Sequence, residues 1–195
     1  MTPAAAQPLP ARRFRRLALI AIAIAVVAVA AVLALLVFHK EGGGSPSPTV
    51  TGPAEAPFRL DYPSNWRALD ASQREQLPGQ PLAVLRRKDG RGTVVVQRRG
   101  RVTTPLERLP EKLAARLDKQ FPDFREVGAR TISLGGTRAL LYTFARTKTG
   151  AAQSLVVVPA AGGSFTLNAV VPAHSPDAAR EVGAMIASFR PSGDR

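Results

Sequence analysis

The chain has 195 residues, with 27 Lys and Arg against 14 Asp and Glu, a formal net charge of +13, two histidines and no cysteine. Lack of cysteine removes disulfides, thiolate metal sites and the lipid-bearing cysteine of lipoproteins, and two histidines cannot build a zinc site. No metal or cofactor is expected, and the arginine-rich, alanine-rich composition suggests a GC-rich bacterial genome.

From Met1 to Ala11 the chain has too little apolar content to bury anything and is expected to be a disordered tail. Arg12, Arg13, Arg15 and Arg16 then precede an uncharged apolar run of 22 residues, Leu17 to Phe38. At ~1.5 Å per residue this run reaches ~33 Å, enough to cross a ~30 Å hydrocarbon layer once. The four arginines outweigh His39 and Lys40 on the other flank. They orient the span with its amino terminus in the cytoplasm and the rest of the chain outside. A cleaved signal peptide fits poorly, because its apolar stretch is ~7 to 15 residues and the small-residue candidate, Ala28-Val29-Ala30, lies inside the run. The reading is therefore a basic cytoplasmic tail (1–16), a single transmembrane helix (17–38), a Gly/Ser/Pro-rich linker (39–56) and one extracytoplasmic domain (57–195). As a flexible coil the linker spans ~20 to 25 Å, so the domain stays near the membrane.

The domain opens on Phe58-Arg-Leu-Asp-Tyr62, alternating with the period of a half-buried strand that puts Phe58, Leu60 and Tyr62 on one face. Pro63 stops it, and Asp70-x-x-Gln73 forms a capping box for a short helix ending before Pro78-Gly79. Leu82 to Lys88 and Thr93 to Arg99 flank Asp89-Gly90-Arg91-Gly92, a hairpin signal. Thr104-x-x-Glu107 is a second capping box, followed by Leu106, Leu109, Leu113, Leu117 and Phe121 at helical spacing. Pro110 either kinks this helix or sits in the first turn of one that starts at Leu109. Four strands follow in a meander: Glu126 to Leu134, Arg138 to Thr147, Gln153 to Val158 and Ser164 to Val171, separated by glycine turns. Ser175 and Pro176 open a last helix with the apolar stripe Val182, Met185, Ile186 and Phe189. This order predicts an α+β fold, an antiparallel sheet flanked by helices.

Three segments carry a family resemblance: Phe58-Arg-Leu-Asp-Tyr-Pro-Ser-Asn-Trp66, Ile132-Ser-Leu-Gly-Gly-Thr-Arg-Ala-Leu-Leu-Tyr142 and Ile186-Ala-Ser-Phe-Arg190. With them the region from Phe58 to Arg190 resembles the PsbP-like superfamily, which includes actinobacterial LpqN-type lipoproteins. The resemblance implies an α/β/α layering around an antiparallel sheet and a non-enzymatic role in protein binding or assembly of membrane complexes. A membrane helix stands here in place of the lipid-bearing cysteine. The motifs are strand and turn signals, so no binding residue carries over.

Catalytic chemistry finds little support. His174 is the one histidine of the domain, it sits in a loop before the last helix, and no Gly-x-Ser-x-Gly elbow accompanies it. The glycine pairs lack phosphate-loop spacing and read as turns. Trp66 is more simply a core plug than a ligand anchor. From position 57 onward there are 22 Lys and Arg against 12 Asp and Glu, a net of +10, which attracts anionic surfaces at short range. Arg86, Arg87 and Lys88 lie near the hairpin turn, and Arg98, Arg99 and Arg101 lie ~20 Å away at the far end of the returning strand. Alternation sends neighbours in each cluster to opposite faces. These six are the candidate contacts for a partner or for anionic wall polymer or lipid. Nucleic acid is not expected, because no aromatic residues interleave with the basic ones. The expected function is a membrane-anchored interaction or assembly-accessory domain without catalytic activity that docks on another envelope protein. The alternative is a carrier or sensor that holds a small ligand between sheet and helices.

Overall fold

The computed structural model describes residues 47–192, so the predicted membrane span and Arg12, Arg13, Arg15 and Arg16 lie outside the described residues. Among the described residues no helix is long and apolar enough to cross a membrane. Two antiparallel sheets form. The small one joins β1 (Thr49–Thr51), β2 (Phe58–Asp61) and β10 (Arg190–Pro191), with β2 in the middle. The large one contains β3 (Trp66–Ala68), β4 (Ala83–Arg87), β5 (Thr93–Arg99), β6 (Phe124–Leu134), β7 (Thr137–Arg146), β8 (Ala151–Ala160) and β9 (Gly163–Pro172). Its seven strands run in the order β3-β4-β5-β9-β8-β7-β6.

The expected elements form, with instructive differences. Residues 49–51, inside the stretch read as linker, are the strand β1. Their Thr-Val-Thr sequence pairs with Arg59 to Asp61, and Val50 packs on the core. Gly52 marks a close approach that composition does not reveal. A side chain there would meet the Ala56 carbonyl oxygen at 2.3 Å and the Phe58 ring at 2.4 Å. Two strands too short for a periodicity signal, β3 and β10, edge the two sheets.

Asp70 forms its capping box on α1 (Ala71–Glu75), accepting from the Gln73 backbone N–H at 2.9 Å. Thr104 makes no such bond. Leu106–Arg108 is a single 3₁₀ turn, and α2 (Leu109–Gln120) starts after it with Pro110 in its first turn, where the missing N–H has no helical partner to lose. The Thr104 hydroxyl instead accepts from Lys112 Nζ at 2.9 Å. Ser175 likewise makes no side-chain cap on α3 (Pro176–Ser188), whose first position is Pro176 as expected.

The two faces of the large sheet are covered unequally. On one face α3 and β2 bury a core spread over β4, β5, β7, β8 and β9, in which the Phe58, Phe165 and Phe189 rings meet at centroid distances of 5.5 to 5.8 Å. On the other face α2 sets Leu109, Leu113, Leu117 and Phe121 over Leu140, Tyr142 and Phe144 of β7 and Leu155 and Val157 of β8. The α2 end is fastened below by Asp123, whose Oδ1 accepts from Arg146 Nε at 2.5 Å and Oδ2 from the Lys148 N–H at 3.0 Å, while the Arg146 guanidinium lies 4.1 Å from the Phe121 ring centre.

Glu181 of α3 ties the other end of the molecule together. Its carboxylate accepts from Asn65 Nδ2 at 2.7 Å, Trp66 Nε1 at 2.8 Å and Arg87 Nε at 3.0 Å. Burial pushes its pKa up, but the Trp66, Asn65 and Arg87 donors more than offset that and hold it below the ordinary glutamate range. A depressed folded pKa adds stability above the unfolded value of about 4.3, and this is lost as pH falls through the lower folded value. Glu181→Gln should therefore lower the urea midpoint at pH 7 by the equivalent of about 1–3 kcal/mol, discounted for partial exposure, and flatten the decline in midpoint with acid. The unequal covering is open to the same measurement. Phe144→Ala, under α2, should cost about 3–5 kcal/mol, whereas Asn168→Ala on the uncovered half should stay within about 0.5 kcal/mol.

Candidate interaction site on the half-covered sheet face

Side chains alternate along each strand, so the register fixes which residues share the α2 face. Across the middle of the sheet they run Val84, Val95, Asn168, Leu155 and Tyr142, and one step along they run Arg67, Arg86, Thr93, Val170, Gln153 and Phe144. Tyr142 and Phe144 are buried under α2, and Val84 is buried at the other margin. Between them the face is open. Asn168 is exposed although it sits at the centre of a seven-stranded sheet, and Thr93, Val95, Thr166 and Val170 are each half-buried. At one end the trough is bounded by the loop after α1, where Gln97 Nε2 reaches the Gly79 carbonyl at 3.4 Å.

The wall of this trough is one flank of α2. Leu109, Leu113 and Leu117 fix the helix rotation by facing the sheet. Glu107, in the turn leading into α2, accepts from Arg138 Nη2 at 2.8 Å on the side where α2 also touches β6. At 100° per residue Glu111 and Asp118 share that side. By the same helical spacing Lys112, Arg116 and Lys119 lie on the opposite flank. All three are exposed, and with Ala115 and Gln120 they border an open depression of ≈ 530 Å³. Arg67 and Arg86 stand exposed on the far border of the trough. Among the described residues Arg67, Arg86, Arg116 and Lys119 have no acidic partner. The helix thus divides its charges, acidic toward the sheet edge and basic toward the open face.

The six candidate contacts separate. Arg86 faces the trough, whereas Arg87 turns to the α3 face, where it is engaged by Glu181 and, at 2.6 Å, by Asp89. Lys88 is exposed at the turn. Arg98 lies on the α3 face with its guanidinium 4.6 Å from the Phe165 ring centre, donating to the Ala161 carbonyl. Arg99 donates to Gln97 Oε1 at 2.5 Å, and Arg101 is exposed beyond the strand. Only Arg86 and Arg99 share the α2 face. Lys112, Arg116, Lys119 and Arg67 were not singled out from sequence. The readable signal was the i, i+4, i+7 spacing of three cations opposite the leucine stripe.

Trp66 is buried, as a core plug should be, and a side chain on Gly92 would meet its ring at 2.8 Å. His174 is exposed after β9. Among the described residues no group of His, Asp or Glu side chains could hold a metal ion. Tyr142 is fully buried, and burial together with the acceptor Glu126, 3.0 Å from its hydroxyl, pushes its pKa up, which keeps the phenol protonated and structural. The space between the sheet and its helices is filled: Leu140, Tyr142, Val156, Leu167 and Met185 are each at most 1% exposed. A second depression, of ≈ 310 Å³, lies outside it beside α1.

No family model matches the chain, and no curated protein matches it significantly. Solved structures do. The solution structure of cyanobacterial PsbP from Synechocystis superposes with a TM-score of 0.54 at 16% identity, covering 79% of this chain and 98% of that one. The crystal structure of LpqN, involved in cell envelope biogenesis of Mycobacterium tuberculosis, aligns with a TM-score of 0.48 at 18% identity, covering 75% of this chain and 85% of that one. At such identities the likeness is one of fold alone. The described domain has the PsbP-like fold.

Proposed function

We propose that this protein is a membrane-tethered extracytoplasmic interaction domain, without catalytic activity, that docks on another protein of the cell envelope. The observation that carries the reading is the open half of the α2 face, a cation-bordered trough on a rigid sheet whose interior is filled. Central sheet positions are normally covered, and a half-buried aliphatic floor with an exposed asparagine at its centre, rimmed by exposed cations, is the kind of surface a partner buries. The apolar run from Leu17 to Phe38, with its arginines on the amino side, supports the tether and its orientation. A filled interior weighs against the carrier reading, which needs a cavity of ~300 Å³ or more between sheet and helices. The exposed, isolated His174 offers no base paired to a nucleophile.

Crosslinking of the full-length protein in its native membrane, followed by affinity capture with parallel washes at low and high salt, tests this reading. The expected result is one dominant protein retained in both washes. Recovery of wall polymer or lipid alone, lost at high salt, would overturn it and make the diffuse positive charge the attachment device.

A further inference from the structure

The open trough is wide enough for one helix. α2 sits over β7 and β8, and the exposed strip lies over β9 and β5, two strand spacings or about 10 Å across the sheet. Packed helices stand about 8–10 Å apart. From Thr93 to Gln97 the floor runs four residue steps, about 14 Å, the length of two to three helical turns. The floor offers Val95, Val170 and Leu155, with Asn168 at its centre able to donate and accept. Lys112, Arg116 and Lys119 stand along one side and Arg67 and Arg86 along the other.

Building on the interaction reading, we infer that the trough takes a short acidic amphipathic helix of the partner protein, laid beside α2. Its apolar face rests on Val95 and Val170, and its carboxylates meet Arg116 and Lys112 on one flank and Arg86 on the other. Four other occupants fit less well. A flat lipid surface resting on α2 stays about a helix diameter, some 10 Å, above the floor. A wall polyanion would engage the cations and leave the valines uncovered. A second copy of this face would set like charges together. The chain's own residues 1–46 contain one acidic residue, Glu41, too few to form the complementary flanks.

The test places photoreactive p-benzoyl-phenylalanine at position 168 of the full-length protein in its native membrane, and in a parallel protein at position 129 on the edge strand β6. Adducts at 168 should be peptides bearing several carboxylates and apolar residues at helical spacing. Their yield should fall at least tenfold in Lys112→Glu/Arg116→Glu, with circular dichroism checking that the variant folds. Should that pair misfold, Arg86→Glu alone, at an exposed strand-end position, should still lower the yield several-fold. Lipid or polymer adducts at 168, adducts to a non-acidic peptide, or a yield indifferent to charge reversal would overturn the inference. Protein adducts at 129 but none at 168 would overturn it while leaving the interaction reading intact. Protein adducts at neither position would overturn the inference and also count against that reading.

Discussion

The ladder between β5 and β9 is the contact on which the rest of the molecule depends. It pairs Thr93 through Arg99 with Val170 through Ser164 and joins a hairpin to a meander that comes much later in the chain. Without it there would be two separate sheets, of three and four strands. With it Val94, Val96, Leu167 and Ala169 fall on one face and close the core under α3. The same alternation necessarily puts Val95, Asn168 and Val170 on the other.

That second face is where supply runs short. A sheet of seven strands is about 29 Å across its six spacings of ~4.8 Å, and one helix with its side chains covers about 10 Å. α2 takes β7 and β8, and α1 with its loop takes the margin at β4. The strands between are left half bare, with valine, threonine and asparagine rather than a run of leucines. Such residues tolerate water and still reward covering. The fold is complete without a cover there, and Asn168 at its centre stays exposed.

Charge placement follows from packing too. Arg87 and Arg86 are adjacent, yet one closes a buried-edge cluster with Glu181 and Trp66 while the other faces the trough. A count of cations therefore overstates the surface available to a partner. Arg87 and Arg146 fasten elements together, and Arg98 covers an aromatic ring. The free cations gather instead where α2 has turned its acidic side to the sheet edge.

Local sequence determined much of the architecture. Alternating residues gave away β2, the β4–β5 hairpin and the four-strand meander, because an apolar period of two or 3.6 reflects which side is buried and needs no distant partner. The Asp70 box and the proline openings of α2 and α3 were legible for the same reason, since capping is satisfied within four residues. The sequence also carries the apolar run, whose length alone suits it to a bilayer. Only the tertiary structure decided that Thr49–Thr51 is a strand, that Trp66–Ala68 edges the large sheet, and that β5 meets β9 rather than ending free. Strands of two or three residues have no measurable period and exist through their partners' hydrogen bonds. The trough was hidden for the same reason: Lys112, Arg116 and Lys119 share a flank by helical spacing, but Arg86 and Asn168 come opposite them only through long-range pairing.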